Sequence, residues 1–231
     1  MNSVDIRGQA AQYGNVQNAA DGFTVPLRTM REGSLSVADW LNLKNMEGRV
    51  FQVDVGDFST PIVGGGNGTI LDADQPEYAM AVPTGTTIIL NRVAVQCQTP
   101  LLATDADEAE ILVIIDKDIA YAGTGTATAE TPLSIRTDQK RTSACTCKSA
   151  FTADITVAPT ADIELARKVI TGDVNGTAVN ALWGVLDLTY EPKIPPIVVG
   201  PATVCVYWGG TVATSGFAQI QWTEISSTDI T

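Results

Sequence analysis

Residues 200–225 read GPATVCVYWGGTVATSGFAQIQWTEI, and this stretch constrains the fold more than any other. Two alternating runs, 203–208 and 217–225, flank a turn-rich segment around Gly209, Gly210 and Gly216, which predicts a hairpin. In the second run Ala218, Ile220 and Trp222 share one face while Gln219, Gln221 and Thr223 share the other, the period of a half-buried strand. A lone hairpin is marginal in water, so earlier segments must supply the sheets it joins.

They do so along most of the chain. Val50, Phe51, Val53 and Val55 alternate with polar residues before Gly56 and Asp57 close the run. Tyr78, Met80 and Val82 lead to Pro83 and a Thr84-Gly85-Thr86 turn. The long run 87–99 places Val93, Val95 and Cys97 on one face and Arg92, Ala94, Gln96 and Gln98 on the other, which predicts a central strand. The ILVII run 111–115 gives way to Asp116, Lys117 and Asp118, so that strand is expected to be buried at its start and exposed at its end. Short strands are expected at 133–136, 143–148 and 151–157, and a further strand at 163–170. Asn175-Gly176 signals a hairpin into 178–190, where Leu182, Leu186 and Leu188 oppose Trp183, Val185 and Asp187 and predict a strand covered on both faces. A proline-rich linker, 191–196, follows.

One helix is expected, with Ser36 as N-cap, Asp39 three residues on and Gly48 as the stop; Trp40 and Leu41 are expected to plug one end of the β structure. Residues 1–33 are expected to form an extended polar arm ending in a short strand, with a frayed terminus as the other reading. The count, roughly eight to eleven strands set off by Gly, Pro and Thr loops, describes a sandwich, barrel or jelly roll in which residues 34–231 form one domain.

Composition narrows the function. The 231 residues include 14 Lys plus Arg and 26 Asp plus Glu, for a net charge of −12, and the cations are scattered. Wrapping nucleic acid needs a basic patch or arm, and an anionic membrane would repel this chain. Histidine is absent, which removes the usual general base and the commonest metal ligand. Carboxylates can do acid–base work as a pair, and Asp116, Asp118, Asp187 and Glu224 are the candidates, each read first as an exposed strand position. No catalytic residue, cofactor or metal is expected. Gly64, Gly65, Gly66 and Gly68 precede Asp72, Asp74 and Glu77, but their spacing fits neither calcium-loop pattern nor a phosphate loop. The acidic run Asp105, Asp107, Glu108 and Glu110 reads as a solvated loop.

Cys97, Cys145, Cys147 and Cys205 are expected as buried free thiols, with one or two disulfides or a zinc site as the other readings. The N-terminal stretch lacks the apolar core of a signal peptide and no aliphatic run is long enough to cross a bilayer, so a chain that is not exported is expected; the triplets Asn67-Gly68-Thr69 and Asn175-Gly176-Thr177 are then chance matches to the glycosylation pattern.

The polar arm, the small helix, the VPTGTTII entry to a long strand (82–89) and the closing GPATVCVYWGG and GFAQIQWTEI segments resemble, in layout, the single jelly-roll coat proteins of icosahedral viruses over residues 49–225. The resemblance implies an all-β, single-domain jelly-roll β-sandwich of two antiparallel sheets, four strands in each. It implies a capsid structural protein without catalysis that self-assembles into a shell, a homo-oligomer whose partners are its own copies and other virion proteins, localised to the virion and made in the host cytoplasm. Coat proteins of small RNA viruses carry a basic arm, which is missing here. The expectation therefore shifts to membrane-containing double-stranded DNA viruses, with no direct nucleic-acid binding and a lipid layer beneath the shell. The alternative is a jelly-roll carbohydrate-binding or host-receptor-binding module, for which Trp183, Tyr190, Tyr207, Trp208 and Trp222 would have to be exposed.

Overall fold

The computed structural model describes residues 9–10, 28–29, 40–64, 71–98, 108–121, 126–138, 141–155, 157–171, 186–211 and 214–226. The chain forms two compact units, residues 1–47 and 48–231. In the first, β1 (Gln9–Ala10) pairs in parallel with β2 (Arg28–Thr29), and α1 (Trp40–Met46) follows. Lys44 lies over the Trp40 ring at 5.8 Å and bridges to Glu47 at 3.0 Å. The helix buries none of its residues, and Trp40 and Leu41 are 43% and 38% exposed, so the expected plug is not observed. Ser36 and Asp39 lie outside the described residues.

The second unit is all β. Its strands are β3 (Val50–Val55), β4 (Ile62–Gly64), β5 (Tyr78–Val82), β6 (Thr86–Cys97), β7 (Glu108–Lys117), β8 (Thr128–Glu130), β9 (Leu133–Ser134), β10 (Thr146–Ser149), β11 (Ile163–Thr171), β12 (Asp187–Tyr190), β13 (Ile197–Val199), β14 (Ala202–Gly210) and β15 (Thr214–Ser226). One sheet runs β11-β7-β14-β5-β10-β8. The other runs β12-β6-β15-β3-β9, with β13 also on β6 and β4 also on β15. Phe51, Val53, Val93, Val95, Ile220 and Trp222 of the second sheet meet Tyr78, Met80, Ile111, Val113, Val204 and Trp208 of the first in one buried core. The molecule is thus an all-β sandwich of two antiparallel sheets.

Its pairing is nested. Taking the principal strands in chain order as β3, β5, β6, β7, β11, β12 with β13, β14 and β15, the first pairs with the last, the second with the seventh, the third with the sixth and the fourth with the fifth. The chain is a doubled ribbon turned back between β7 and β11. It is wound so that β14 also meets β7 and β15 also meets β6.

The closing segment follows from this winding, and it is not a hairpin. β14 lies between β7 and β5 in one sheet, and β15 between β6 and β3 in the other. Alternation reports which face of a strand is buried, and a turn-rich link serves a crossing between sheets as well as a hairpin. The face assignment holds for Ala218, Ile220 and Trp222, all buried, and for the part-exposed Gln219 and Gln221. Thr223 departs from it. It is buried, and its hydroxyl accepts a 2.9 Å hydrogen bond from Asn91 Nδ2, where the β15–β6 register shifts.

β6 is interior to its sheet, with Val93, Val95 and Cys97 buried as expected. β11 is a strand. It and β12 belong to different sheets and do not pair; the Asn175-Gly176 turn between them lies outside the described residues. β12 is covered on one side only: Leu188 and Tyr190 are half-buried while Asp187 and Thr189 are exposed. Every residue of β5 and β14 is buried, because the outer face of their sheet has its own cover. Phe151 and Ile155 pack there against Ala79, Ile114, Cys205 and Tyr207, with Tyr121 edge-on to Phe151 at 5.6 Å. The stretch 151–155, expected as a strand, is this covering segment; Ile155 N donates to Asp74 O at 2.9 Å.

Candidate functional site

The four carboxylates considered for catalysis are not brought together as a reacting pair; three are tied to structural partners. Asp116 is buried and accepts from Thr160 N at 3.0 Å and Thr160 Oγ1 at 3.1 Å, which pins the 157–163 segment to the end of β7. Glu224, also buried, accepts from Trp222 Nε1 and Ala144 N, each at 3.1 Å, and from Ser143 Oγ. Both correct the expectation of exposed positions. Asp187 is exposed and bridges Lys168 Nζ at 2.6 Å, a link between β12 and β11 in opposite sheets; the ammonium holds its carboxyl below the usual range. Asp118 is exposed in a left-handed conformation, φ 67°, where β7 ends.

The aromatics are placed for packing. Tyr207, Trp208 and Trp222 are buried and Tyr190 is half-buried, while Trp183 lies outside the described residues. No exposed aromatic platform for a sugar is formed by the described members of this set. All four cysteines are free and buried. Burial pushes the Cys97, Cys147 and Cys205 thiols up to about 12 and Cys145 higher still. Cys145 and Cys147 both face the core, where Tyr78 OH donates to Cys147 Sγ at 3.1 Å.

Glu77 is not a loop ligand: it is buried, and its carboxylate accepts from Trp208 N at 2.8 Å. Asp72 caps a turn through Asp74 N at 3.0 Å. Glu110 is buried beside Arg167, and desolvation raises its carboxyl above the ordinary value despite that partner. Among the described residues no group of three Cys, Asp or Glu side chains is arranged to hold a metal, and no helix is long and apolar enough to cross a membrane. Gly65, Gly66, Gly68, Asp105, Asp107 and both glycosylation-pattern triplets lie outside the described residues.

Several large apolar side chains are exposed among the described residues. Phe58 is fully in solvent at 107%, on a two-residue turn closed by Asp57 N to Thr60 O at 3.1 Å and Thr60 N to Asp57 O at 3.2 Å. Gly56, at φ 93°, makes the bend into that turn. Elsewhere, a half-open hollow of about 290 Å³ lies between Gln52 and Asp54 of β3 and Thr131, Leu133, Ser134, Ile135 and Thr137. Leu133 is 66% and Ile135 36% exposed. Ile197 and Val199 of β13, and Ile194 just before it, are exposed as well. Sequence patterning misses Phe58, because a single apolar residue between turn formers has no period. Its one signal is an aromatic where Gly56, Asp57 and Ser59 mark a turn.

Comparison with protein-family models, with curated proteins and with solved structures returns no match. The class that the fold defines is an all-β sandwich of two antiparallel sheets.

Proposed function

We propose that this chain is a non-catalytic structural subunit that assembles with copies of itself, and specifically a single jelly-roll capsid protein of an icosahedral virus. The observation that carries the reading is the nested strand order. A ribbon pairing first with last, second with seventh, third with sixth and fourth with fifth, wound into two sheets, is the topology expected of a jelly roll, an architecture used by viral capsid domains. Lectins and cupins use it as well, so fold alone does not give the role. The structural role is favoured by the carboxylates and aromatics bound up in packing and by apolar side chains exposed at the sandwich edges. With a net charge of −12, contact with a packaged genome falls to other components of the virion.

Light scattering and electron microscopy of the purified chain at micromolar concentration test the proposal. Regular shells, rings or capsomers are the expected result. A protein that stays monomeric and binds a polysaccharide column would replace it with the carbohydrate-binding reading.

A further inference from the structure

We propose that the hollow between β3 and the 131–137 segment binds one ring of an uncharged sugar, giving the chain a contact with neutral glycans. This goes beyond self-assembly and does not depend on it.

The walls come from two outward-facing rows of side chains. Thr131, Leu133, Ile135 and Thr137 are exposed while Pro132, Ser134 and Arg136 between them are half-buried, so the four exposed side chains share one face. Leu133 pairs in register with Gln52, which sets this row beside Gln52 and Asp54, the outward residues of β3. At about 290 Å³ the hollow lies at the lower limit of ligand clefts, roughly 300–1,000 Å³, a size for one ring. Its polar groups are held before any ligand arrives. Arg92 Nη1 donates to Gln219 Oε1 at 2.9 Å, Gln219 Nε2 to Asp54 Oδ1 at 2.9 Å, and Gln52 Nε2 to both Asp54 oxygens at 3.1 and 3.2 Å. This relay across β6, β15 and β3 fixes the carboxylate, and a group fixed beforehand costs less to engage.

The chemistry left over selects the ligand. Each carboxylate oxygen takes two donors; Asp54 Oδ2 has one, from Gln52, and the Gln52 amide oxygen accepts besides. Thr131 and Thr137 add hydroxyls that both donate and accept. A set rich in acceptors calls for a ligand whose polar groups are hydroxyls. Leu133, 66% exposed, and Ile135, 36% exposed, add hydrocarbon to the same hollow. A sugar ring carries both matching surfaces, C–H groups on its faces and hydroxyls around its rim. The sign of charge excludes the acidic sugars and phosphates: Asp54 is the one charged residue in the lining, and Arg136 next in the chain is paired with Asp138 at 2.7 Å. An anion would meet a carboxylate without a cation beside it. One ring in one open hollow gives a dissociation constant of about 1 mM, and many copies on one assembly raise the avidity about 10²–10⁴-fold.

Saturation-transfer NMR on the full chain tests this with glucose, galactose, mannose and N-acetylglucosamine as probes. At least one should receive saturation, and N-acetylneuraminic acid should receive none. Asp54→Asn, which keeps the side-chain shape, and Leu133→Asp, both at exposed positions, should each weaken binding about tenfold or more with the melting temperature unchanged. Ile197→Ser on β13 should leave binding as it was. Transfer to none of the four sugars would overturn the proposal, and so would transfer that survives both substitutions. Uptake of the acidic sugar, or of lysine amide in place of the neutral sugars, would assign the hollow to another ligand class and overturn it too. The signal is read whatever the state of assembly. Regular shells that bind no sugar would therefore overturn this inference alone, while a monomer that binds one through Asp54 and Leu133 would uphold it and overturn the capsid reading.

Discussion

Trp222 and Glu224 stand two residues apart on β15 and share a 3.1 Å hydrogen bond. The indole fills the middle of the core, stacked on Phe51 with ring centroids 6.1 Å apart, and its one polar atom is satisfied by a carboxylate that also holds Ser143 and Ala144. Trp222→Ala leaves a cavity, and Glu224 loses a donor. The expected cost is about 3–5 kcal/mol, read as a lower urea midpoint with unchanged slope; unaltered stability would refute the core position. The cysteines give a second expectation. A thiol reacts as thiolate, and burial suppresses that form at all four. A disulfide-exchange reagent at pH 8 should therefore find no reactive thiol in the native protein and four in guanidinium.

Strand faces were legible in the sequence, and strand neighbours were not. The two-residue period of β6 and β15 identifies Val93, Val95, Ile220 and Trp222 as buried because burial is a local property of each strand. The partner of β15 is set by winding: β3 lies more than 150 residues away, and nothing in the period of either strand encodes that pairing. The same limit applies to Asp116 and Glu224, whose burial depends on Thr160 and Ser143 from distant loops.

Two ion pairs tie elements together and respond to pH with opposite sign. Asp187 is lowered by Lys168, so the contribution of this β11–β12 link is present above the unfolded carboxyl value, about 3.9, and fades as pH falls through the folded one. Glu110 is raised chiefly by desolvation, so its protonated form favours the folded state below an unfolded value of about 4.3. That share is lost as pH rises through the folded value. In Lys168→Met the Asp187 titration, followed by NMR, should move up towards the ordinary range, and any stability difference from wild type at pH 7 should vanish near pH 2. A midpoint for Asp187 that does not move would show that the bridge is not formed in solution.

Across the whole molecule the net charge of −12 opposes association of like copies. Because screening shortens from about 10 Å at 0.1 M salt to 3 Å at 1 M, self-association should strengthen as salt is added; weakening would point to contacts held by attraction between charges. The doubled ribbon has a further consequence, in time rather than in space. Its innermost pairing, β7 with β11, is separated by the shortest length of chain, and its outermost, β3 with β15, by the longest. Loop closure makes such distant pairings slow to find. During synthesis, one sheet must wait with β3 and β6 exposed until β15 has left the ribosome to fill the place between them. The interval before that last strand arrives is when a chain of this design is most open to mispairing with another copy of itself.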